Sequence, residues 1–127
     1  MWYAAHAVMV FRLREGEQSE FPVWENIFLV QAPTLEEALE KAKTRALDDE
    51  NDDPTLTWAD QPVRTEFLGL RKLTQCWSDE DQPGDGTEVS FNSLLFSNQA
   101  ALDAFVRGEE AVVTFQDEHP WKPEDDD

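Results

Sequence analysis

The side chains that could do chemistry are few and lie far apart in the sequence. Histidine occurs twice, as His6 in an apolar segment and as His119 near the C-terminus, and cysteine occurs once, as Cys76. The sequence contains no HExxH motif, no Cys/His cluster with zinc-ligand spacing and no glycine pattern that could hold a phosphate. A serine or cysteine nucleophile would need His6 as its base, but a histidine inside a strand is more often a half-buried structural residue. We therefore expect no catalytic residues, no cofactor and no enzyme activity.

Carboxylates offer the other possible chemistry, as metal ligands or as acid–base pairs. Residues 79–85 have the Asp, Asp and Gly offsets of a calcium-binding loop, but Pro83 stands where an oxygen ligand belongs and Ser90 replaces the final Glu. Three other carboxylates could converge, although their spacing fits no two-metal nuclease pattern: Glu25, Glu66 and Glu88. Solvated charges at strand edges are the simpler interpretation. A metal-dependent hydrolase is therefore the alternative that we rank last, and we expect no metal site.

The net charge of the chain is its most informative property. Ten Lys and Arg against 28 Asp and Glu give a net charge of −18 over 127 residues. Binding to a phosphate backbone depends on basic side chains, so we exclude direct nucleic-acid binding. Hydrophobic residues make up 40% of the chain, with eight Phe and five Trp, whereas disordered chains contain few such residues. The sequence therefore predicts one folded domain over residues 1–117, followed by an acidic tail over 118–127.

Cysteine usage and hydropathy indicate where the protein acts. A single Cys excludes an internal disulfide and favours a reducing compartment. No apolar run approaches the roughly 18 residues that are needed to span a bilayer. The apolar N-terminus lacks the basic residues that precede the apolar part of a signal peptide. These features predict a cytoplasmic protein that does not bind a membrane.

The acidic residues are concentrated in three irregular segments, 48–53, 78–88 and 117–127, and each segment has a Trp within it or close by. Aromatic anchors surrounded by charge are typical of binding surfaces, and a focused negative field accelerates the capture of a basic partner. The alternative is that the acids confer solubility while the Trp side chains belong to the core. We predict a partner-binding site made of six residues: Asp49, Asp52, Trp58, Trp77, Asp79 and Asp81.

Periodicity predicts the elements that position these residues. Alternating apolar residues predict five strands, over 2–14, 23–31, 63–77, 87–96 and 110–116. A capping box at Thr34-Leu35-Glu36-Glu37 begins a helix that ends near Leu47, and Ser97 or Asn98 caps a second helix over 99–107. A change of alternation predicts a bulge near Gly69. The order β-β-α-β-β-α-β predicts an α+β, two-layer fold, with an antiparallel sheet of about five strands and both helices on one face.

Several segments resemble a small bacterial family that is known as a domain of unknown function. The resemblance covers roughly residues 2–95 and rests on the order of four motifs: Trp2-Tyr3-Ala4-Ala5, residues 25–38, Phe67-Leu68-Gly69-Leu70 and Asp85-Gly86-Thr87-Glu88-Val89. Members of such families are often encoded singly or near toxin and defence genes. The resemblance therefore implies an accessory or immunity-type role, and it supplies no catalytic residues.

These observations lead to one leading hypothesis about function and one main competitor. We expect a non-enzymatic binding protein of immunity or inhibitor type, which neutralises a basic protein such as a toxin by covering its active surface. The competitor is a homo-oligomeric structural or accessory module, in the simplest case a homodimer. Such a module would assemble through the apolar residues on both faces of its sheet, for example Trp24, Ile27, Phe28 and Leu29.

Overall fold

The structure, a computed structural model, describes residues 1–77 and 84–116. Its elements are, in chain order, β1 (Trp2–Leu13), β2 (Val23–Gln31), α1 (Leu35–Asp48), β3 (Thr57–Trp58), β4 (Gln61–Trp77), β5 (Leu94–Leu95), α2 (Gln99–Val106) and β6 (Thr114–Phe115). Four antiparallel strands form the main sheet in the order β2-β1-β4-β3, and β5 and β6 form a separate antiparallel pair. The predicted α+β class and the antiparallel sheet are confirmed. The proposed tail over 118–127 lies outside the described residues.

The central strand β1 is buried on both of its faces. It pairs with β2 and with β4 along most of its length. Its odd-numbered residues from Tyr3 to Phe11 form the apolar stripe that the alternation predicts, and all of them are buried. On the other face, Ala4, His6 and Val10 are buried as well. Two layers of chain must therefore cover the sheet, one on each side of β1.

α1 covers the odd-numbered face of β1. The hydroxyl of Thr34 accepts a hydrogen bond from the backbone N–H of Glu37 at 3.2 Å, which confirms the predicted N-terminal cap. Three helix residues that face the sheet are fully buried: Ala38, Ala42 and Ala46. They belong to the same apolar cluster as Tyr3 and Leu73. Because alanine has no side chain beyond Cβ, the helix can pack closely against the sheet.

The pairing of β1 with β4 contains the bulge that the sequence predicts near Gly69. His6 pairs with Lys72 while Ala7 pairs with Leu70, so Arg71 is an extra residue in β4. A second shift, two residues further along β1, leaves Leu68 extra in the same way. Bulges change the direction of a side chain, and here the guanidinium of Arg71 reaches a carboxylate on β2, two strands away.

The C-terminal part of the chain differs from the predicted strands over 87–96 and 110–116, and from the prediction that both helices cover one face of the sheet. Residues 87–93 are irregular, and β5 and β6 pair with each other. Residues 87–93 lie on the sheet face opposite α1, where Cys76 Sγ donates to the carbonyl of Val89 at 2.9 Å and Lys72 Nζ donates to that of Phe91. The side chains of Cys76 and Lys72 thus form hydrogen bonds with backbone carbonyls that, in a strand, would have accepted from the backbone of a neighbouring strand. α2 starts at the predicted cap, Asn98, but buries none of its residues, so α1 is the helix that packs on the sheet.

Close packing of α1 makes its inner face intolerant of larger side chains. We expect Ala42→Leu to lower the free energy of unfolding by about 1–3 kcal/mol, because the added methyl groups have no space between α1 and β1. Urea denaturation followed by far-UV circular dichroism measures the change. Lys43→Leu, on the exposed side of the same turn, is the matched control and should change the stability by less than about 0.5 kcal/mol. Equal effects of the two variants would contradict this packing.

Candidate functional site

Aromatic side chains meet at the end of the sheet where β1 finishes. The ring centroid of Phe11 lies 5.1 Å from that of Trp24 and 5.5 Å from that of Trp58. Phe11 is only 4% exposed, whereas Trp24 is 58% and Trp58 is 44% exposed. With Phe21, these side chains line an open cavity of about 650 Å³. We call the surface formed by Phe11, Phe21, Trp24 and Trp58 the aromatic groove.

A tight hairpin places Trp58 in the aromatic groove. Trp58 pairs with Gln61, and the two residues between them, Ala59 and Asp60, both have positive φ, of 52° and 64°. This is the backbone of a two-residue hairpin of type I′, which usually contains Asn or Gly. An alanine in this conformation costs about 1 kcal/mol or more. Residues 57–58 are not among the predicted strands, and the Ala59-Asp60 pair is not the Asn-Gly or Asp-Gly pair that usually marks such a hairpin.

Acidic side chains surround the aromatic groove. Glu17 and Glu20 line the same cavity as Trp24 and Trp58. Asp49, one of the predicted site residues, lines a smaller adjoining cavity of about 270 Å³ whose wall includes Phe11 and Trp24. These three carboxylates form what we call the acidic rim. The structure therefore brings two predicted site residues, Asp49 and Trp58, to one aromatic cluster, and adds Phe11 and Trp24 to them.

The remainder of the acidic segment 48–53 is used within the fold. Glu50 accepts a hydrogen bond from the backbone N–H of Phe67 at 2.8 Å. Asp52, a predicted site residue, forms an ion pair of 2.8 Å with Arg14, which also donates to backbone carbonyls of this segment. Hydrogen bonds from Thr55 lower the pKa of Asp53. Glu50, together with the backbone carbonyl of Asn51 that accepts from Thr65 N–H, thus holds this segment against the edge of β4, while Asp52 ties it to Arg14.

Trp77 lies at the opposite end of the sheet from Trp58. It pairs with Trp2 at the start of β1, and the two indole rings stack with centroids 5.8 Å apart. Phe11 is near the other end of β1, roughly 30 Å away at about 3.3 Å per residue. Trp77 is partly buried, and its Nε1 has no hydrogen-bond partner among the described residues. The predicted site therefore divides into two places, and Asp79 and Asp81 lie outside the described residues.

Apart from the aromatic groove, a cluster of polar side chains lies on the sheet face opposite α1. His6 is fully buried. Its Nδ1 is 2.6 Å from Glu25 Oε2, and its Nε2 is 2.6 Å from Ser90 Oγ. The same Glu25 oxygen accepts from Arg71 Nε at 2.9 Å and from Arg71 Nη2 at 2.7 Å. Burial raises the pKa of Glu25, but the hydrogen bonds from Arg71 and His6 outweigh it, so that the pKa lies below its ordinary value of 4.5.

The three carboxylates considered as a catalytic group have different partners. Glu25 binds His6 and Arg71, Glu66 pairs with Arg12 and Arg64, and Glu88 is exposed. Within residues 1–77 and 84–116, the structure contains no group of three His, Cys, Asp or Glu side chains that could hold a metal ion. Most of the calcium-like loop over 79–85 lies outside this part of the chain.

Comparison with known proteins identifies a family. The model of a family described as a domain of unknown function, DUF4288, matches residues 2–90. The chain belongs to this family. The DUF4288 match contains the main sheet, α1 and the four residues His6, Glu25, Arg71 and Ser90, which we call the His6 cluster, and it ends before β5, α2 and β6 begin. No curated protein and no solved structure matches the chain. Neither described helix is long and apolar enough to cross a membrane.

The lowered pKa of Glu25 predicts how acid affects stability. A carboxyl group whose pKa is lower in the folded state contributes stability that is present above its ordinary pKa, here 4.5, and is lost as the pH falls through the folded value. We therefore expect the wild type to be more stable than Glu25→Gln near neutral pH, with the difference shrinking below about pH 4.5. Urea midpoints measured between about pH 7 and pH 3 test this. Glu110→Gln, at an exposed position, should show no such trend.

The acidic rim predicts an asymmetric response to charged quenchers of Trp fluorescence. At low salt, and relative to the quenching of a free indole by each ion, we expect Cs⁺ to quench the indoles of the aromatic groove more strongly than I⁻, because carboxylates attract the cation and repel the anion. Trp24→Phe and Trp58→Phe should each reduce this difference, whereas Trp77→Phe should leave it unchanged. The difference should largely disappear in about 0.5 M NaCl, where the screening length is a few ångströms. Equal quenching by both ions at low salt, each relative to its quenching of a free indole, would show that the carboxylates do not act on the indoles.

Proposed function

We propose that the aromatic groove and its acidic rim bind a basic protein, and that through this surface the chain acts as an inhibitor of immunity type in the cytoplasm. The observation that carries this proposal is the exposure of two indoles, Trp24 and Trp58, which pack against the buried ring of Phe11. Scattered exposed apolar residues are normal, whereas a contiguous exposed aromatic surface is typical of an interaction site. Tryptophan is also the side chain most enriched among residues that dominate binding energy.

The chemistry of the groove favours arginine on the partner. A guanidinium can stack on an aromatic ring while it donates hydrogen bonds to a carboxylate. The chain contains one such arrangement of its own at the groove, since the Arg12 guanidinium lies 5.7 Å from the ring centroid of Phe21 and also donates to Glu66. An arginine of the partner could be held in the same way between Trp24 or Trp58 and the acidic rim.

The net charge of −18 supports this proposal through the rate of association. A negative field around the groove would steer a basic protein towards it and raise the association rate, while the desolvated aromatic contacts would slow dissociation. The acids that the fold uses internally, such as Glu50 and Asp52, contribute to this field without touching the partner. The acidic residues would thus attract the partner, and the aromatic residues of the groove would hold it.

A homo-oligomeric module is the second candidate, and one observation favours it. β2 is an edge strand of the main sheet, and three apolar side chains on one of its faces are exposed: Val23, Ile27 and Leu29. An open strand edge with apolar flanks can pair with the same strand of another copy. Light scattering at micromolar concentration separates the candidates, because a strictly monomeric protein removes this one.

Affinity capture at low salt tests the inhibitor proposal. Immobilised wild-type protein, Trp24→Ala/Trp58→Ala and the control Leu68→Ala, which removes an exposed leucine elsewhere on the sheet, are each incubated with host lysate in about 50 mM salt. We expect a basic protein to be retained by the wild type and by Leu68→Ala, to be lost with the double variant, and to elute near 0.5 M NaCl, since screening weakens charge-driven association.

The captured protein is then assayed for its own activity with and without the chain. Inhibition by the wild type and not by the double variant supports the immunity-type role. An identical set of proteins on all three resins would exclude the aromatic groove as the binding site. Binding without any effect on the partner's activity would exclude the inhibitor role while leaving the groove as a docking surface.

A further inference from the structure

Three residues that are distant in the sequence form a continuous hydrogen-bonded chain on the sheet face opposite α1. Glu25 of β2, His6 of β1 and Ser90 of the irregular segment 87–93 are joined by two contacts of 2.6 Å, one at each imidazole nitrogen. An acid that orients a histidine, which in turn contacts a hydroxyl, is the arrangement that activates serine nucleophiles. None of these residues lines the aromatic groove.

The partners of Glu25 fix the direction of the hydrogen bonds. An ionised carboxylate can only accept, and two hydrogen bonds from Arg71 to Glu25 Oε2 favour the ionised form. The proton of a neutral His6 must then be on Nδ1, which donates to Glu25. Nε2 is left with its lone pair towards Ser90, and the Ser90 hydroxyl donates to it. This is the tautomer that a general base needs in order to take the proton of a serine.

Ser90 is held in place while remaining accessible. His6 is fully buried, whereas Ser90 is partly exposed. Hydrogen bonds anchor the residues on both sides of Ser90. The carbonyl of Val89 accepts from Cys76 Sγ and the carbonyl of Phe91 accepts from Lys72 Nζ. Asn92 Oδ1 accepts from Arg71 Nη2 at 3.0 Å. This anchoring keeps the Ser90 hydroxyl aligned with the imidazole before a substrate binds, so that no further conformational entropy is lost when the reaction occurs.

We propose that Ser90 is a nucleophile activated by His6, and that it reacts with carboxylic esters that carry a small apolar acyl group. Three apolar side chains around the cluster are exposed and could contact such a group: Ile27, Val89 and Phe91. The buried ammonium of Lys72, which contacts the residue after Ser90, supplies positive charge on the same side of the sheet. Positive charge close to the reacting centre stabilises the negative charge that develops on the carbonyl oxygen.

The reaction that follows is a two-step acyl transfer to water. Ser90 Oγ bonds to the ester carbonyl carbon and its proton moves to His6 Nε2; the alcohol then leaves with that proton, and Ser90 carries the acyl group. A water molecule attacks this acyl-serine and gives a proton to Nε2. The carboxylic acid departs, and the proton returns to Ser90 Oγ.

A fluorophosphonate probe, which phosphonylates activated serines with loss of fluoride, tests the proposal directly. We expect native wild type and Ser97→Ala to be labelled, with the label mapped to Ser90 by peptide mass spectrometry, and Ser90→Ala to remain unlabelled. Ser97→Ala is the matched control because it removes an exposed hydroxyl elsewhere. His6→Gln should slow labelling by roughly 10²-fold, the usual contribution of a general base. Heat-unfolded wild type should not be labelled.

Two further measurements keep the proposal falsifiable if His6→Gln fails to fold. In Ser90→Cys, iodoacetamide should alkylate residue 90 much faster than Cys76, whose thiol pKa is raised by burial. Wild type should also release p-nitrophenolate from p-nitrophenyl acetate, and Glu25→Gln should lower kcat by about tenfold or more with KM unchanged, since the acid acts on the imidazole and not on the ester.

Several results would overturn the proposal. Native wild type that is not labelled, a label equally strong in Ser90→Ala, or a label mapped to another residue would show that Ser90 is not activated. Ser90→Cys alkylated no faster than Cys76 would show the same. Each of these results would reduce the cluster to a structural clamp between segment 87–93 and the sheet, and none would affect the proposed role of the aromatic groove.

Discussion

The buried imidazole of His6 imposes the constraint on which the arrangement of the chain depends. A polar group inside a protein is costly unless it is hydrogen-bonded, and an imidazole has two nitrogens to satisfy. His6 lies at the centre of β1 with no exposure, so one partner comes from the neighbouring strand and the other from the layer above it. Glu25 in turn is matched by Arg71, which the bulge in β4 directs towards it. Strands β2 and β4 and segment 87–93 are thus joined through His6 and its partner Glu25.

The same principle governs the acidic residues of this chain. A net charge of −18 opposes compaction through mutual repulsion, yet several carboxylates are acceptors that the fold uses. Glu50 satisfies a backbone N–H of β4, Asp52 pairs with Arg14, and Glu25 accepts from two elements. An acidic run in a sequence therefore has at least three possible uses: hydration, docking and internal hydrogen bonding. Which one applies depends on the donors that the fold brings nearby.

The two candidate sites are separated by the sheet and differ in character. The aromatic groove is open, has two exposed indoles and is surrounded by carboxylates, which suits recognition of a partner. The His6 cluster is mostly buried, and its hydrogen bonds have defined directions, which suits the activation of a single hydroxyl. The DUF4288 match contains both sites, since it extends from residue 2 to residue 90. A chain with one site on each face could bind a partner and react with a small molecule independently.

The local elements of the fold follow from the sequence, whereas their long-range contacts do not. The helix cap at Thr34, the alternation in β1 and the bulge near Gly69 were predictable because each depends on neighbours within a few residues. The division of Trp58 and Trp77 between opposite ends of the sheet was not, since it depends on which strands pair. Nor was the meeting of His6 with Ser90, 84 residues away, or the replacement of most of the fourth predicted strand, 87–96, by an irregular segment that side-chain hydrogen bonds hold in place. Periodicity shows which side of a strand is apolar, but it does not show which segment covers that side. Burial of apolar surface is favourable with any segment that also forms hydrogen bonds to the polar groups beneath it, so the covering segment is decided by tertiary packing.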